Sequence, residues 1–93
     1  MKLTESEIQD RMRNLPGWQT NGEEISREFV FKDFAEAFGF MASAAVAAEK
    51  MGHHPDWSNV YNKVPVHLAT HDAGGLTALD FDLAALMDKL ARL

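Results

Sequence analysis

A long helical segment that is apolar almost all round constrains the fold of this chain more than any other feature. Asp33 and Glu36 have the spacing of a capping box and predict the helix start. The helix formers that follow continue without proline to about Met51. From 37 to 48 nearly every residue is apolar or small. In a chain of 93 residues, such a helix needs packing partners on two sides.

The apolar residues of this helix form two stripes. The stripe predicted to face a β-sheet consists of Phe34, Phe38, Met41 and Ala45. The second stripe has mostly small side chains and consists of Phe40, Ala44 and Ala47. We expect the second stripe to pack against another subunit, so the expected state is a homodimer or a homotetramer. The alternative is that the first or the third helix covers it.

Capping patterns predict two further helices, one near each end of the chain. Thr4 and Glu7 form a capping box that opens the first helix. Thr77 and Asp80 have the same spacing and open the last helix. The apolar stripe predicted for the last helix consists of Leu79, Leu83, Leu86 and Leu90.

Alternating apolar residues and turn signals predict two hairpins. Trp18–Thr20 and Ile25–Phe31 are predicted to be strands, and Asn21-Gly22 between them favours a type I′ turn, because both residues accept positive φ angles. Trp57–Tyr61 and Lys63–Thr70 form the second predicted pair. In the last strand, apolar side chains alternate with polar ones, which indicates a sheet with one buried face.

The element order α-β-β-α-β-β-α predicts the fold class. Two hairpins that join into a four-stranded antiparallel sheet, with three helices packed on one face, bury every apolar stripe. We therefore expect an α+β fold with residues 1–93 in a single domain.

The composition restricts the classes of function. The chain has no cysteine, so a disulfide framework and thiolate chemistry are excluded. Its net charge is -5 and its basic residues are scattered, so no nucleic-acid partner is expected. The N-terminus lacks the apolar run of a signal peptide and the longest apolar stretch is too short to span a bilayer, so we expect no membrane partner and a cytoplasmic protein.

The histidines indicate where chemistry takes place. All 4 lie between residues 49 and 80: His53, His54, His67 and His71. Gly52 suits the left-handed residue that ends a helix, and Pro55 disfavours helical geometry at the residue before it. Because histidine exchanges protons near neutral pH, a cluster of histidines beside carboxylates and aromatic residues indicates a proton-transfer site.

The spacing of these residues resembles the signature of a known enzyme family. Glu49, His53-His54-Pro55, Tyr61, His71 and Asp80 lie within or beside the phrases HHPDWSNVYNKV and THDAGGLTALD. They are similar in type and offset to the signature of the pterin-4a-carbinolamine dehydratases, and the resemblance covers nearly the whole chain. These enzymes remove water from 4a-hydroxytetrahydropterin while the pterin cofactor of aromatic amino acid hydroxylases is regenerated.

The resemblance implies a role for each matched residue. It implies that His53, His54 and His71 line a site for a small-molecule pterin. His53 and His71 are then general acids toward the 4a-hydroxyl, and His54 mainly binds substrate, with some base character toward N5–H. The remaining matched residues shape or orient the site: Glu49, Pro55, Tyr61 and Asp80, with Trp18 as a looser match to an aromatic near the pocket. The reaction requires no metal and no organic cofactor.

Several of these residues also have a purely structural interpretation. The His53-His54 pair suits a turn in which imidazoles bond the free carbonyls of a helix end. Asp80 suits the third residue of a helix cap. His67 lies outside the family spacing and is expected to be a solvated polar residue.

Two other functions remain open. Three imidazoles and a carboxylate are a legitimate zinc set, although His-His-Pro is not the i, i+4 spacing that places two ligands on one helix face. Some members of the family also stabilise dimers of a transcription factor, so a noncatalytic dimerisation or coactivator module is the third hypothesis.

Overall fold

Three helices and a four-stranded antiparallel sheet make up the chain in a computed structural model, which describes residues 1–91. The helices are α1 (Glu5–Met12), α2 (Phe34–Met51) and α3 (Ala78–Ala91). The strands are β1 (Gln19–Thr20), β2 (Ile25–Val30), β3 (Asp56–Trp57) and β4 (Lys63–Leu68). A 3₁₀ turn, His71–Ala73, precedes α3. The α+β class and the element order are confirmed, while residues 92 and 93 of the predicted domain lie outside the described part.

The sheet has the strand order β1-β2-β4-β3, so the two hairpins meet through β2 and β4. In the register of this central pair, Phe29 lies opposite Val64. The side chains that face the helices are fully or almost fully buried: Ile25, Phe29, Val64, Val66 and Leu68. The alternate residues of β4, including Lys63 and His67, lie on the exposed face. The period-2 pattern therefore predicted correctly which face of β4 is buried.

Two of the predicted helix starts have the expected hydrogen bonds. Glu7 N donates to Thr4 Oγ1 at 3.2 Å while Thr4 N donates to Glu7 Oε1 at 2.8 Å, which is a complete capping box. At α2, Glu36 N donates to Asp33 Oδ1 at 2.9 Å. The carboxylate of Glu36 accepts from Lys32 N instead of from the cap residue itself.

The assignment of faces on α2 was wrong. The residues of α2 that enter the core are Ala37, Phe40, Ala44 and Ala48. Phe40 and Ala44, which were predicted to face another subunit, are therefore buried within the chain. Phe34 and Phe38, which were predicted to face the sheet, are more than half exposed. The helix is apolar on both sides, so its pattern could not tell the two faces apart. Phe40 is the aromatic residue that packs on Phe29 and Phe31, with ring centroids 4.8 and 5.0 Å away.

The leucine stripe of α3 is also only partly a core stripe. Leu83 is fully buried, whereas Leu79, Leu86 and Leu90 are each about two-fifths exposed. The core positions of α3 are instead Phe81, Leu83, Ala84 and Met87. Together with the exposed side of α2, the three exposed leucines leave two neighbouring helices with apolar residues at the surface.

The first hairpin has the predicted strand ends but not the predicted turn type. Thr20 pairs with Ile25, so residues 21–24 form the connection, whereas a type I′ hairpin turn has two residues. Gly22 has the positive φ of 95°, but Asn21 does not. Asn21 acts through its side chain, because its Oδ1 accepts from the backbone N–H groups of Glu23 and Glu24. The type I′ prediction was therefore wrong, and the asparagine stabilises the loop by an Asx-type turn.

Candidate active site

The end of α2 places His53. Gly52 has φ 65° and ψ 27°, the left-handed conformation, and its N–H bonds the carbonyl of Glu49. The next N–H, that of His53, bonds the carbonyl of Ala48. This pair of bonds is a Schellman motif, which turns the residue after the glycine back toward the last helical turn. His53 is consequently 8% exposed, although it follows a surface helix end.

Asp80 forms a hydrogen bond with the ring of His53. Nε2 of His53 lies 2.6 Å from Oδ1 of Asp80, which is fully buried. An ionised carboxylate only accepts hydrogen bonds, so Nε2 carries the proton of this contact. No buried side-chain nitrogen or oxygen within residues 1–91 lacks a partner. The Nδ1 atom, which has no protein partner in that part of the chain, is therefore open to solvent or to a ligand.

Two threonines complete the environment of Asp80. Its Oδ2 accepts from Thr77 N at 3.0 Å and from Thr70 Oγ1 at 2.8 Å. Thr70 and Thr77 hydroxyls lie 2.8 Å apart, and Thr77 donates because the single hydrogen of Thr70 points to the carboxylate. The carboxylate of Asp80 thus caps α3 and orients His53 at the same time. The sequence predicted its helix-cap geometry but gave no signal for the two threonine contacts.

His54 lies in a more solvated environment than its neighbour. Its Nε2 is 3.0 Å from Oε1 of Glu49, and both side chains are largely exposed. The two adjacent imidazoles are therefore held by different partners, one buried and one at the surface. Pro55 follows them and is half-buried.

His71 is presented by a short closed loop. Thr70 and Gly75 form an isolated antiparallel bridge around it, and Gly74 takes a left-handed conformation with φ 76°. The N–H of Gly74 bonds the carbonyls of Thr70 and His71. His71 itself is exposed, and its ring has no hydrogen-bond partner within residues 1–91. A fixed backbone with an unengaged imidazole suits a group that acts on a ligand.

One hollow brings the three predicted catalytic histidines together. It has a volume of about 250 Å³ and is lined by Gly52, His53, His54, Ala69, Thr70, His71 and Asp72. Three separate elements contribute: the end of α2, the end of β4 and the 3₁₀ turn. The neighbouring histidines both border this hollow although their Nε2 atoms bond different carboxylates.

Two further hollows adjoin the first, because Ala69 and His71 line all three. The second has about 240 Å³ and extends toward the β1–β2 loop, where Asn21, Glu23 and Glu24 line it. The third is small, about 40 Å³, and includes His67 with Glu24 and His54. We call the three hollows together the histidine cleft. His67, predicted to be only a solvated residue, is thus part of its wall.

A larger hollow lies beside this cleft rather than in it. It has about 720 Å³ and is formed by the N-terminal segment and the start of α3, with Met1, Lys2 and Leu3 among its lining residues. No histidine lines it. Size alone would favour this hollow, but proton-transfer chemistry requires the titratable groups of the histidine cleft.

Tyr61 lies far from the histidines within one chain. It occupies the turn before β4, with φ 52°, and is 62% exposed. His71 follows the other end of β4, whose six residues span about 20 Å. The structure does not bring Tyr61 into the histidine cleft, and its predicted contact with substrate stays a prediction.

Trp18 is part of the hydrophobic core. It is 5% exposed, packs edge-on against Phe29, and donates its indole N–H to Asp88 Oδ1 at 2.9 Å. Asp88 lies about 12 Å along α3 from Asp80. Arg27 donates to the same oxygen, so this carboxylate ties the first hairpin to α3. Trp18 is not among the residues that line the histidine cleft.

Neither a metal cage nor a membrane helix is found in the part of the chain that the structure describes. Within residues 1–91, no three or more His, Cys, Asp or Glu side chains are arranged to hold a metal ion. No helix of that part is long and apolar enough to cross a bilayer.

The chain matches known proteins over almost its full length. The model of the family described as pterin 4 alpha carbinolamine dehydratase matches residues 1–90. A protein of Solibacter usitatus, provisionally named pterin-4-alpha-carbinolamine dehydratase, is 54% identical over 90 residues, covering 97% of this chain and 95% of its own. A protein of Rhodopseudomonas palustris with the same provisional name is 55% identical over 92 residues, covering 97% of this chain and 91% of its own.

Solved structures share the fold. A crystal structure from Brucella melitensis, described as a transcriptional coactivator/pterin dehydratase, is 53% identical with a TM-score of 0.94 and covers 98% of this chain and 99% of its own. A pterin dehydratase-like protein described as a RuBisCO assembly factor of the alpha-carboxysome is 23% identical with a TM-score of 0.66, covering 80% of this chain and 86% of its own, and shows the fold alone. The resemblance in the sequence is therefore confirmed, and the chain belongs to the pterin-4a-carbinolamine dehydratase family.

Proposed function

We propose that the histidine cleft dehydrates 4a-hydroxytetrahydropterin to the quinonoid dihydropterin. The observation that carries the proposal is that His53 and His54, which follow the end of α2, and His71, in the 3₁₀ turn, border one hollow. Family membership supplies the substrate class. The imidazoles supply groups that donate and accept protons near neutral pH.

The reaction needs one proton donated and one removed. The N5 lone pair forms the C4a=N5 double bond as the bond from C4a to the hydroxyl oxygen breaks. An imidazolium gives its proton to the departing hydroxyl, which leaves as water, and a base takes the proton from N5. The exchange changes no oxidation state, and general acid-base catalysis of this kind contributes about 10²- to 10⁴-fold.

His53 and His71 are the proposed general acids. Asp80 holds Nε2 of His53 with its proton, so Nδ1 is the atom of that ring that faces the reaction. His71 presents a ring without any partner in the described residues. His54, tied to an exposed carboxylate, is the proposed substrate-binding residue and accepts the N5 proton.

The dimensions of the cleft suit a flat heterocycle. The hollow between the histidines, about 250 Å³, is slightly below the usual range of ligand pockets, about 300 to 1,000 Å³. The neighbouring hollow of about 240 Å³ shares Thr70 and His71 with it. A bicyclic ring that extends across both hollows would have its reactive edge at the histidines.

The direct test follows the ultraviolet decay of enzymatically generated 4a-hydroxytetrahydropterin with and without the protein. We expect faster dehydration with the wild type and at least about a hundredfold loss in His53→Ala and His71→Ala, with melting curves that remain cooperative. Lys63→Ala, at the far end of β4, is the matched control. Wild-type rates in both histidine variants and in the double variant would refute these assignments.

A three-histidine zinc site is the competing hypothesis from the sequence. It is tested by elemental analysis of protein purified without added metal and by activity in the presence of chelators. Stoichiometric zinc together with activity lost to chelators would replace the acid-base proposal. Full activity after chelation would support the acid-base proposal.

We also propose that the exposed apolar residues of α2 and α3 mediate self-association into a homodimer or homotetramer. Phe38 is 59% exposed and Val46 is 60% exposed, and a groove of about 420 Å³ between the two helices is lined by Val46, Met51, Leu86 and Leu90, among others. Side chains of this size are normally buried, and a small domain gains core by pairing. The Brucella melitensis relative is described as a transcriptional coactivator, and binding of another protein is a second use that we propose for this surface.

A further inference from the structure

A third histidine-carboxylate pair, besides His53–Asp80 and His54–Glu49, lies in the wall of the histidine cleft. Nδ1 of His67 is 2.7 Å from Oε2 of Glu24, and both side chains are partly exposed. Neither residue belongs to the family spacing described above. The pair joins the β1–β2 loop to the outer face of β4.

Glu24 occupies a position that reaches two parts of the cleft. It lines the small hollow with His54, His67 and His71. It also lines the larger neighbouring hollow, which His53 does not line. A ligand that extends from the hollow of His53 into this neighbouring hollow can therefore contact the carboxylate of Glu24.

The backbone of Glu24 is fixed by its loop. Its carbonyl accepts from Thr20 Oγ1 at 2.7 Å and from Asn21 N at 3.4 Å, and its N–H donates to Asn21 Oδ1 at 3.0 Å. His67 is held by strand pairing with Ser26 on one side and Asp56 on the other. Both members of the pair are thus carried by ordered backbone, and the carboxylate is positioned before a ligand arrives.

The unused oxygen of Glu24 determines what it can bind. Oε2 accepts from His67, while Oε1 has no partner in the described residues. A carboxylate oxygen accepts N–H donors and repels carbonyl oxygens. The pyrimidine edge of a pterin offers two adjacent donors, the 2-amino group and N3–H, and it lies across the ring from N5.

We infer that Glu24 binds the 2-amino and N3–H edge of the pterin ring and that His67 is a positioning residue that holds this carboxylate. The inference rests on the proposed function, since it names the ring orientation in that same site. It makes Glu24 the residue that distinguishes a 2-aminopteridine from a 2-oxopteridine. A 2-oxo group would place a carbonyl oxygen against the carboxylate.

The test compares binding of two unreactive probes, pterin and lumazine, by quenching of their fluorescence. Lumazine has a carbonyl in place of the 2-amino group. We expect the wild type to prefer pterin, and Glu24→Gln to reduce that preference by about tenfold or more, because a charged hydrogen bond is lost. His67→Asn should reduce it by about threefold, because the carboxylate remains but is less well held.

Steady-state kinetics provide a readout that a structural role would not change. The pyrimidine edge is bound equally in the ground and transition states, so Glu24→Gln should raise KM about tenfold with kcat within about twofold. Glu28→Gln is the matched control, because Glu28 lies in β2, the strand that follows Glu24, pairs opposite Pro65, and lines none of the three hollows. Melting curves check that all variants fold.

The outcomes separate this inference from the function on which it rests. If the wild type binds pterin and dehydrates the substrate but Glu24→Gln keeps the wild-type preference, only the inference is overturned. An equal loss of pterin and lumazine binding would also overturn it, because it would indicate a general distortion. If the wild type neither binds pterin nor dehydrates the substrate, the proposed function is overturned and the inference with it.

Discussion

Nε2 of His53 and Oδ1 of Asp80 lie 2.6 Å apart, although the two residues are 27 positions apart in the chain. One follows α2 and the other lies in the first turn of α3. The contact joins the two helices at the histidine cleft and leaves Nδ1 as the ring nitrogen of His53 without a partner in the described residues. It is the most buried polar contact that any of the cleft histidines makes.

Replacing Asp80 by Asn should impair catalysis more than folding. The amide keeps the volume and can still accept from Thr70 and Thr77, but it presents N–H to His53, so the ring adopts the opposite tautomer. We expect kcat to fall about a hundredfold or more and stability to fall by about 1–3 kcal/mol. Stopped-flow dehydration assays and urea unfolding measure the two effects, and wild-type kcat in this variant would show that the contact is only structural.

Replacing Glu49 by Gln should have a much smaller effect. Its side chain is 81% exposed and its partner His54 is 65% exposed, so the pair is solvated on most sides. Exposed ion pairs contribute about 0–1 kcal/mol, and the amide can still accept a hydrogen bond. We expect kcat/KM to change by less than about fivefold in the same assay. A loss as large as that of Asp80→Asn would show that Glu49 acts on the substrate directly.

A charge on the exposed face of α2 should prevent self-association. Phe38→Glu places a carboxylate where we propose that a second subunit packs, and burying an unpaired charge there is costly. Light scattering at micromolar concentration should give a dimeric or tetrameric mass for the wild type and a monomeric mass for the variant. Val60→Glu is the control, since Val60 is 73% exposed but lies in the turn before β4. A monomeric wild type would contradict the proposal.

The capping box of α1 should make a pH-dependent contribution to stability. Hydrogen bonds from the Thr4 backbone and side chain, followed by the nearby Arg11 charge, lower the pKa of Glu7 below its usual 4.5, while burial opposes the shift. Because the folded-state pKa is the lower one, the stabilisation is fully present above the unfolded-state value and disappears as the pH falls through the folded one.

Thermal melts of the wild type and Glu7→Ala should therefore differ by a constant amount from about pH 8 to pH 5 and converge as the pH falls further. Glu5→Ala is the control, because Glu5 is in the same turn but forms no capping contact. A difference that persists unchanged at low pH would show that the charge of Glu7 does not contribute.

Structural features that depend only on neighbouring residues were predicted correctly from the sequence. The Thr4–Glu7 box and the left-handed Gly52 depend on residues within a turn of each other, and both are present as predicted. The buried face of α2 was predicted wrongly, because Phe38 and Phe40 are equally apolar and only the tertiary structure decides which of them is buried.

The candidate site likewise has residues that the sequence predicted and a contact that it did not. The family spacing identified His53 and His71, and the structure places both at one hollow. The pairing of Glu24 with His67 joins residues 43 positions apart, and nothing in the local sequence of either residue indicates it. Long-range contacts between polar side chains are set by strand register, which becomes visible only in three dimensions.

The Schellman end of α2 has a consequence for how this chain can vary. Phe40 anchors the helix in the core, and each residue added to an α-helix turns its end by about 100°. Inserting or deleting one residue between Phe40 and Gly52 would therefore direct the His53 ring away from Asp80. Exchanging one small apolar residue for another in that interval would leave the ring in place. The position of the His53 ring therefore depends more on the number of residues in this interval than on their identity.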